Sequence, residues 1–306
     1  MTAFSKKYYR DLKPLIKAVD HPRPIDWPLL FGRTAPLELE IGFGNGEYLH
    51  RLSLEKPEHD FVGVEIAWAS LKRALRRLAS PPRENVRVML TRAETALERC
   101  FAPESFDMIR SLFPIPWPDE RQEKKRLFQR EFLELSASRL KEGGTFILVT
   151  DSRELAEWTM VQADSSSLKF SLEERPAQMD TKYERKWQDG GQRSFFHLTG
   201  CKIAHPHINN PQEVEMQAYY CNELDPEIYA PEGCADDLVV KFHEFLFDPK
   251  REEGLLHTFV VEGSMIQDFY IRVKKQDGRW KLSPAIGSQL LPTRGVARAL
   301  ELAAAG

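Results

Sequence analysis

The chain has 306 residues, 42% hydrophobic and 29% charged, an ordinary globular composition long enough for a main domain and a smaller second one. Four scattered cysteines (Cys100, Cys201, Cys221 and Cys234) form no C-x-x-C pair, which argues against a disulfide scaffold or a zinc ribbon, and His205-Pro206-His207 reads as a loop rather than a metal site. No apolar run approaches the roughly 18 residues of a membrane span, and the first residues lack a signal-type apolar core, so a cytoplasmic protein without a metal or membrane partner is expected.

Residues 1–36 read as an irregular basic arm carrying Lys6, Lys7, Arg10, Lys13 and Lys17 and broken by Pro22, Pro24 and Pro28. From residue 37 the pattern alternates. Strands are expected at 37–41, 60–66, 85–90, 106–112 and 145–150, and helices at 46–55, 68–79, 93–100, 118–140 and 153–163. The 118–140 helix is set by Leu127, Phe128, Phe132 and Leu135 at helical spacing. This order predicts an α/β fold, a doubly wound and mostly parallel sheet with its ligand crevice at the carboxyl ends of the strands. The polar stretch 164–182, with Pro176, reads as a surface excursion. Residues 184–200, centred on Gly190-Gly191, read as an antiparallel hairpin closing the sheet. The main domain is expected over 37–205.

Residues 206–306 read as a linker followed by a small α+β appendage. It has strand-like segments at 257–262 and 267–274, a turn at 276–278 before Trp280, and a helix at 294–305. Charge divides along the chain: residues 1–200 hold 32 Lys/Arg against 30 Asp/Glu, and residues 201–306 hold 11 against 16. The appendage shows no catalytic constellation, and RNA docking, oligomer contacts and stability all stay open as its role.

The most informative stretch is Glu38-Leu39-Glu40-Ile41-Gly42-Phe43-Gly44-Asn45-Gly46. A strand ending on a carboxylate and turning through Gly42, Gly44 and Gly46 lets backbone approach a ligand closely, and Glu40 can pair with an ammonium group. A dinucleotide fingerprint would need a third glycine at position 47, where Glu47 would repel a pyrophosphate. Glu65 ends the next strand, 19 residues past Gly46, close to the separation at which a second carboxylate meets ribose hydroxyls. Together these point to S-adenosylmethionine, a zwitterionic nucleoside without phosphate, as cofactor.

On the acceptor side, Phe113-Pro114-Ile115-Pro116-Trp117-Pro118 fixes a stiff loop after the fourth strand. Arg121, Lys124, Lys125, Arg126 and Arg130 follow it, and Lys72, Arg73, Arg76 and Arg77 cluster on another helix. Focused charge of this kind suits a polyanionic partner. Asp151, after the fifth strand, and Thr181-Lys182-Tyr183-Glu184 add groups able to read a purine edge.

Over roughly residues 37–200 these motifs in this order resemble the bacterial tRNA (guanine-N7)-methyltransferases. The stretches that carry the resemblance are 39–46, 61–65, 113–117, 144–151 and 181–184. The resemblance implies a class I, Rossmann-like methyltransferase acting on N7 of a guanine in the tRNA variable loop. It implies cofactor contacts from Glu40, Gly42, Gly44, Gly46, Glu65, Arg92, Glu94 and Ile115. It places the nucleotide and its phosphates against Pro116, Trp117, Arg121, Lys124, Lys125, Arg126, Asp151, Thr181, Lys182 and Glu184, with Asp151 and Glu184 as the catalytic carboxylates. The chain departs from the family pattern at Ile115 (an acid in the family), Gln122 (histidine), Lys125 (arginine) and Arg92 (aspartate). A weak or inactive tRNA-binding paralogue and a methyltransferase for a smaller acceptor are therefore the alternatives.

Overall fold

The computed structural model describes residues 12–79 and 82–306. Lys6, Lys7 and Arg10 of the expected arm lie outside them. The chain divides into two compact units, Met1–Asn210 and Pro211–Gly306.

The first unit is built on a seven-stranded sheet. Parallel strands β1 (Leu37–Ile41), β2 (Asp60–Glu65), β3 (Val86–Leu90), β4 (Phe106–Leu112) and β5 (Leu140–Thr150) are joined by β6 (Leu168–Pro176) and β7 (Ser194–Lys202) in the order β3-β2-β1-β4-β5-β7-β6. β7 runs antiparallel to both β5 and β6. The order reverses between β1 and β4, and a ligand crevice opens at such a switch point, beyond the carboxyl ends of the strands. Every residue of β1 and β2 is buried, as expected of parallel strands covered on both faces.

Helices α2 (Glu47–Glu55) and α3 (Trp68–Leu78) cover one face, packing Leu49, Leu52, Leu71, Leu75 and Leu78 on Phe61, Val86 and Val88. Helices α4 (Ala93–Arg99), α5 (Arg130–Arg139) and α6 (Arg153–Ala163) cover the other, against Leu37, Leu39, Ile41, Val62, Val64, Phe146 and Leu148. Successive side chains of a strand point to opposite faces, so β1 gives its leucines and Ile41 to the second layer and Glu38 and Glu40 to the α2 layer. On α3 the cations stay outside: Arg73, Arg76 and Arg77 are exposed.

The arm is less irregular than its prolines suggest. Residues 14–16 extend the sheet edge, with Val88 N donating to Pro14 O and Ile16 N to Val88 O, both at 2.8 Å. Helix α1 (Trp27–Phe31) is capped by the Asp26 carboxylate, and Trp27 stacks on Phe101 at 4.9 Å. Two buried aromatics outweigh the local proline signal.

Three elements differ from expectation. The helix expected at 118–140 is a 3-10 turn at Glu120–Lys125 followed by α5. Arg126 turns inward beneath the preceding loop while Phe128 packs edge-on to Phe132 and Phe146. In an α-helix positions 126 and 128 face nearly opposite ways, so burying both requires extended backbone. The expected surface excursion contains the edge strand β6, in which Leu168 and Phe170 are buried and Lys169 and Ser171 are exposed. The antiparallel closure is made by β6 and β7, not by a hairpin within 184–200. Between them runs α7 (Lys182–Asp189), started by the Thr181 hydroxyl accepting from Glu184 N and ended at Gly190. The Gly190-Gly191 pair is thus a helix stop.

In the second unit, antiparallel strands β8 (Tyr219–Cys221), β9 (Cys234–Ala235), β10 (Leu238–Asp248), β11 (Glu253–Glu262), β12 (Met265–Gln276) and β13 (Arg279–Pro284) stand in the order β8-β13-β12-β11-β10-β9. Helix α8 (Arg294–Ala305) lays Val296, Ala299, Leu300 and Ala303 on one face, against Val240, Leu256, Val260, Ile271 and Leu282. The two expected strand segments lie within β11 and β12, and the expected final helix is α8. No helix among the described residues is long and apolar enough to cross a membrane.

Gly46 caps α2 with φ of +70°, and a Cβ there would lie 2.7 Å from the Ala74 Cβ on α3. Left-handed backbone and overpacking each cost on the order of 1–3 kcal/mol. Gly46→Ala is expected to lower stability by about 2–4 kcal/mol, read as a fall in urea midpoint at unchanged m value.

Candidate active site

A narrow cleft opens at the carboxyl ends of β1 and β4. Its floor is Glu40 and the 42–45 loop, one wall is Leu112 and Phe113, and Thr181, Lys182 and Tyr183 close over it. Gly42 and Gly44 have φ of +70° and +57°, conformations a side chain would strain. Tyr183 lies 3.8 Å from where a Gly44 Cβ would stand.

Glu40 is buried, and its Oε2 has no hydrogen-bond partner among the described residues. Burial pushes its carboxyl up to about 8; Arg110 and Arg51 oppose this, and Glu65 adds to it. Its neighbour two positions back behaves in the opposite way. Burial raises Glu38 too, but ion pairs with Arg110 and with Lys56 (3.1 Å) overcome it and hold the carboxyl below its ordinary value. Arg110 stands opposite Glu40 on β4, yet its Nη2 bonds Glu38, and its Nη1 has no hydrogen-bond partner among the described residues. Glu40 is thus a carboxylate short of a cation.

Glu65 works as a brace. Its Oε2 accepts from Gly44 N at 2.9 Å, and its Oε1 from Ile66 N at 2.9 Å and Ala67 N at 3.0 Å. Oε1 is thereby filled, and Oε2 can accept one further bond. One side chain therefore fixes both the glycine loop and the turn after β2. Past β3, Arg92 and Glu94 form an ion pair at 2.8 Å at the start of α4.

The proline loop is strained at two non-glycine residues, Phe113 (φ +54°) and Trp117 (φ +45°). Arg126 holds it from beneath, donating to the carbonyls of Pro116 (3.2 Å) and Trp117 (3.1 Å) and pairing with Glu154. Arg126 is buried and so engaged, and its charge is not turned to solvent. Lys125 lies over the Trp117 ring at 4.8 Å, Lys124 is exposed, and Arg121, largely exposed, pairs with Asp119 at 2.7 Å. Ile115 points outward, 65% exposed.

Asp151 lies half-buried just after β5, its carboxyl pushed up by burial against the pull of a backbone bond and Lys186. Glu184 is wholly buried. Its Oε1 accepts from Gln178 N (2.7 Å) and Met179 N (3.1 Å), and its Oε2 is unpartnered among the described residues. The structure thus gathers Glu40, Gly42, Gly44, Thr181 and Lys182 around one cleft, whereas Glu65, Arg92, Glu94, Asp151 and Glu184 are not among its walls.

Sequence reasoning missed the polar face of α2. Arg51 donates to the carbonyls of Met179 and Asp180 (3.3 Å for the latter) and lies over the Tyr48 ring at 5.1 Å. Glu47 accepts from Lys182 N at 3.2 Å and pairs with Arg185 at 2.8 Å. Spacing of four puts Glu47 and Arg51 on one helical face, but partners some 130 residues away leave no local trace.

The strand order, the glycine turn and the acids ending β1 and β2 define a Rossmann-like class I methyltransferase. Comparison with known proteins narrows this. A family model described as "Putative methyltransferase" matches residues 34–197. A tRNA (guanine-N(7)-)-methyltransferase of Thermus thermophilus is 33% identical over 290 residues, 92% of this chain and 92% of the relative. One of Thermotoga maritima is 30% identical over 89% of this chain and 90% of its own, and one of Chlorobium phaeobacteroides is 36% identical over 55% of this chain and 83% of its own. The chain belongs to the tRNA (guanine-N7)-methyltransferase family.

The folded-state value of Glu40 lies above its unfolded one. The stability it contributes is therefore full below pH 4.5 and is lost as pH rises through about 8. Glu40→Gln is expected to stabilise the ligand-free protein, with a gain growing by up to about 1.4 kcal/mol per pH unit across that window. Denaturant titrations of both proteins at several pH values check this.

Proposed function

We propose that this protein transfers a methyl group from S-adenosylmethionine to N7 of a guanine in the variable loop of tRNA. The observation that carries the reading is the buried Glu40, lacking a cation, beside the left-handed glycine turn, in a chain whose relatives are named for this activity. Nothing observed favours the inactive alternative.

The residues present fit that cofactor. Glu40 would take its ammonium group, and Gly42 and Gly44 leave its approach clear. Glu65 retains acceptor capacity for a ribose hydroxyl, with Arg92, Glu94 and Ile115 on the adenine side. When bound, S-adenosylmethionine supplies an electrophilic methyl carbon on a sulfonium.

Guanine N7 carries a free lone pair and no hydrogen, so attack needs no general base. What the protein must supply is alignment of the purine and tolerance of the positive charge that arrives on it. Asp151 and Glu184 provide negative field for that charge. This offsets the apolar Ile115 where the family carries an acid. Thr181 and Lys182 present the purine edge, Pro116 and Trp117 flank it, and Arg121, Lys124 and Lys125 meet phosphates. Arg126 serves by holding the loop.

Radiolabelled methyl transfer to bulk tRNA followed by nucleoside analysis is expected to give 7-methylguanosine. Asp151→Ala is expected to lower kcat by ~10²–10³ if its field matters as an oxyanion donor does. Folded protein that binds the donor but labels no tRNA would refute the activity.

A cation beside Glu40 favours its carboxylate, so donor binding near pH 7 is expected to release close to one proton in the wild type and none in Glu40→Gln. Calorimetry in buffers of different ionisation enthalpy measures this. Equal release from both proteins would remove Glu40 from the site.

A further inference from the structure

Helix α8 covers one face of the Pro211–Gly306 sheet; within that unit nothing covers the other. Outward residues of adjacent strands meet there in register, Arg272 beside Ser283 and Lys274 beside Lys281. With Gln276 they line a cleft of about 280 Å³. All five side chains can donate hydrogen bonds: the three cations, the Ser283 hydroxyl and the Gln276 amide.

The concentration of cations is not a by-product of composition. Residues 211–306 hold 10 Lys/Arg against 16 Asp/Glu, yet three of those cations share this cleft. One acid stands beside it. Glu253 takes Arg272 through both oxygens, at 2.6 and 3.0 Å, and lies 3.6 Å from Lys274. Lys281 adds a further charge, so the row stays cationic.

The same face carries flat rings beside the charge. Arg279, next along β13, lies 5.0 Å from the ring of Tyr220, which is 48% exposed on β8. One row away, Tyr270 stacks on His257 at 5.0 Å and 26°, and His257 stands 4.9 Å from His243. Cations that track a phosphate chain, beside rings on which bases stack, are the two components of sheet surfaces that bind single-stranded or looped RNA. An acidic protein partner would use the charge but not the rings.

We propose that this open face, centred on Arg272, Lys274 and Lys281, is a second docking surface for the tRNA, gripping phosphates of an unpaired or looped segment. The proposal rests on the tRNA reading of the preceding subsection. It gives the second unit a share in substrate affinity rather than in chemistry.

The test uses the full chain with Lys274→Glu/Lys281→Glu and, as a milder change, Lys274→Gln/Lys281→Gln. The same charge reversal at Arg294 and Arg298, on the covering helix, is the control. Filter binding of tRNA between about 50 and 200 mM salt is expected to show roughly tenfold weaker binding for the cleft reversal. Its log–log salt slope should be shallower by about 1.4, as each lost contact to a single-stranded phosphate removes ~0.7. The glutamine pair should fall between it and wild type, and the control should stay within about twofold. Steady-state methylation should show a raised KM for tRNA with kcat retained, and calorimetric donor affinity should not move.

Cleft variants that match wild type in affinity and slope, while wild type binds and labels tRNA, overturn the proposal and leave the activity standing. An equal loss in the control overturns it as well, since net charge alone would then be responsible. A wild-type protein that neither binds nor labels tRNA removes the activity itself.

Discussion

Burying a carboxylate without a partner costs several kcal/mol, and a fold keeps one only where the surroundings over-determine its place. Here the constraint is Glu40. It stands on a wholly buried strand between β2 and β4, and the cation opposite it, Arg110, makes its ion pair with Glu38. Two acids two residues apart on one strand thus have opposite characters. Glu38 is a satisfied ion-pair member that ties β1 to β4, and Glu40 is a buried acid held largely protonated at neutral pH. The stability forgone at Glu40 is recovered when a cation arrives, which links occupancy of the cleft to the charge of a single side chain.

Around that acid the sheet edge is organised by bonds that tie cofactor and acceptor elements together. Glu65 fixes the glycine loop from β2, and α2, which the loop begins, holds the 179–185 segment through Glu47 and Arg51. Glu184 closes the same segment from inside. The glycine turn and the Thr181–Lys182 segment are therefore connected through α2 by side-chain bonds. The strained proline loop opposite is likewise held, with Arg126 beneath it and Phe113 against Phe195. Both walls of the cleft are preorganised, which suits a reaction that needs alignment more than proton transfer.

Much of this was legible in the chain. The five parallel strands and α2, α3, α4 and α6 fall where hydrophobic period and turn residues put them, because those signals span only a few neighbours. Glu40, Gly42 and Gly44 were readable because a strand, an acid and a glycine turn are contiguous. The misreadings occur where a distant partner sets the local conformation. Arg126 and Phe128 break a helical pattern because each answers to a separate buried site. β6 was legible as alternation at Leu168-Lys169-Phe170-Ser171 but hidden by its polar continuation, which an edge strand tolerates.

The sequence by itself determined the layer order, the glycine turn with its two terminal acids, and the family of the chain. These rest on short-range patterning and contiguous motifs. Only the tertiary structure decided which acid is satisfied and which is not, that Arg126 is buried and engaged beneath the proline loop, and that three cations stand together across two adjacent strands, β12 and β13, of the second unit's sheet. Each of those depends on side chains brought together from separate strands and helices. Burial, which turns an ordinary carboxylate into an unusual one, exists only once the chain has folded around it.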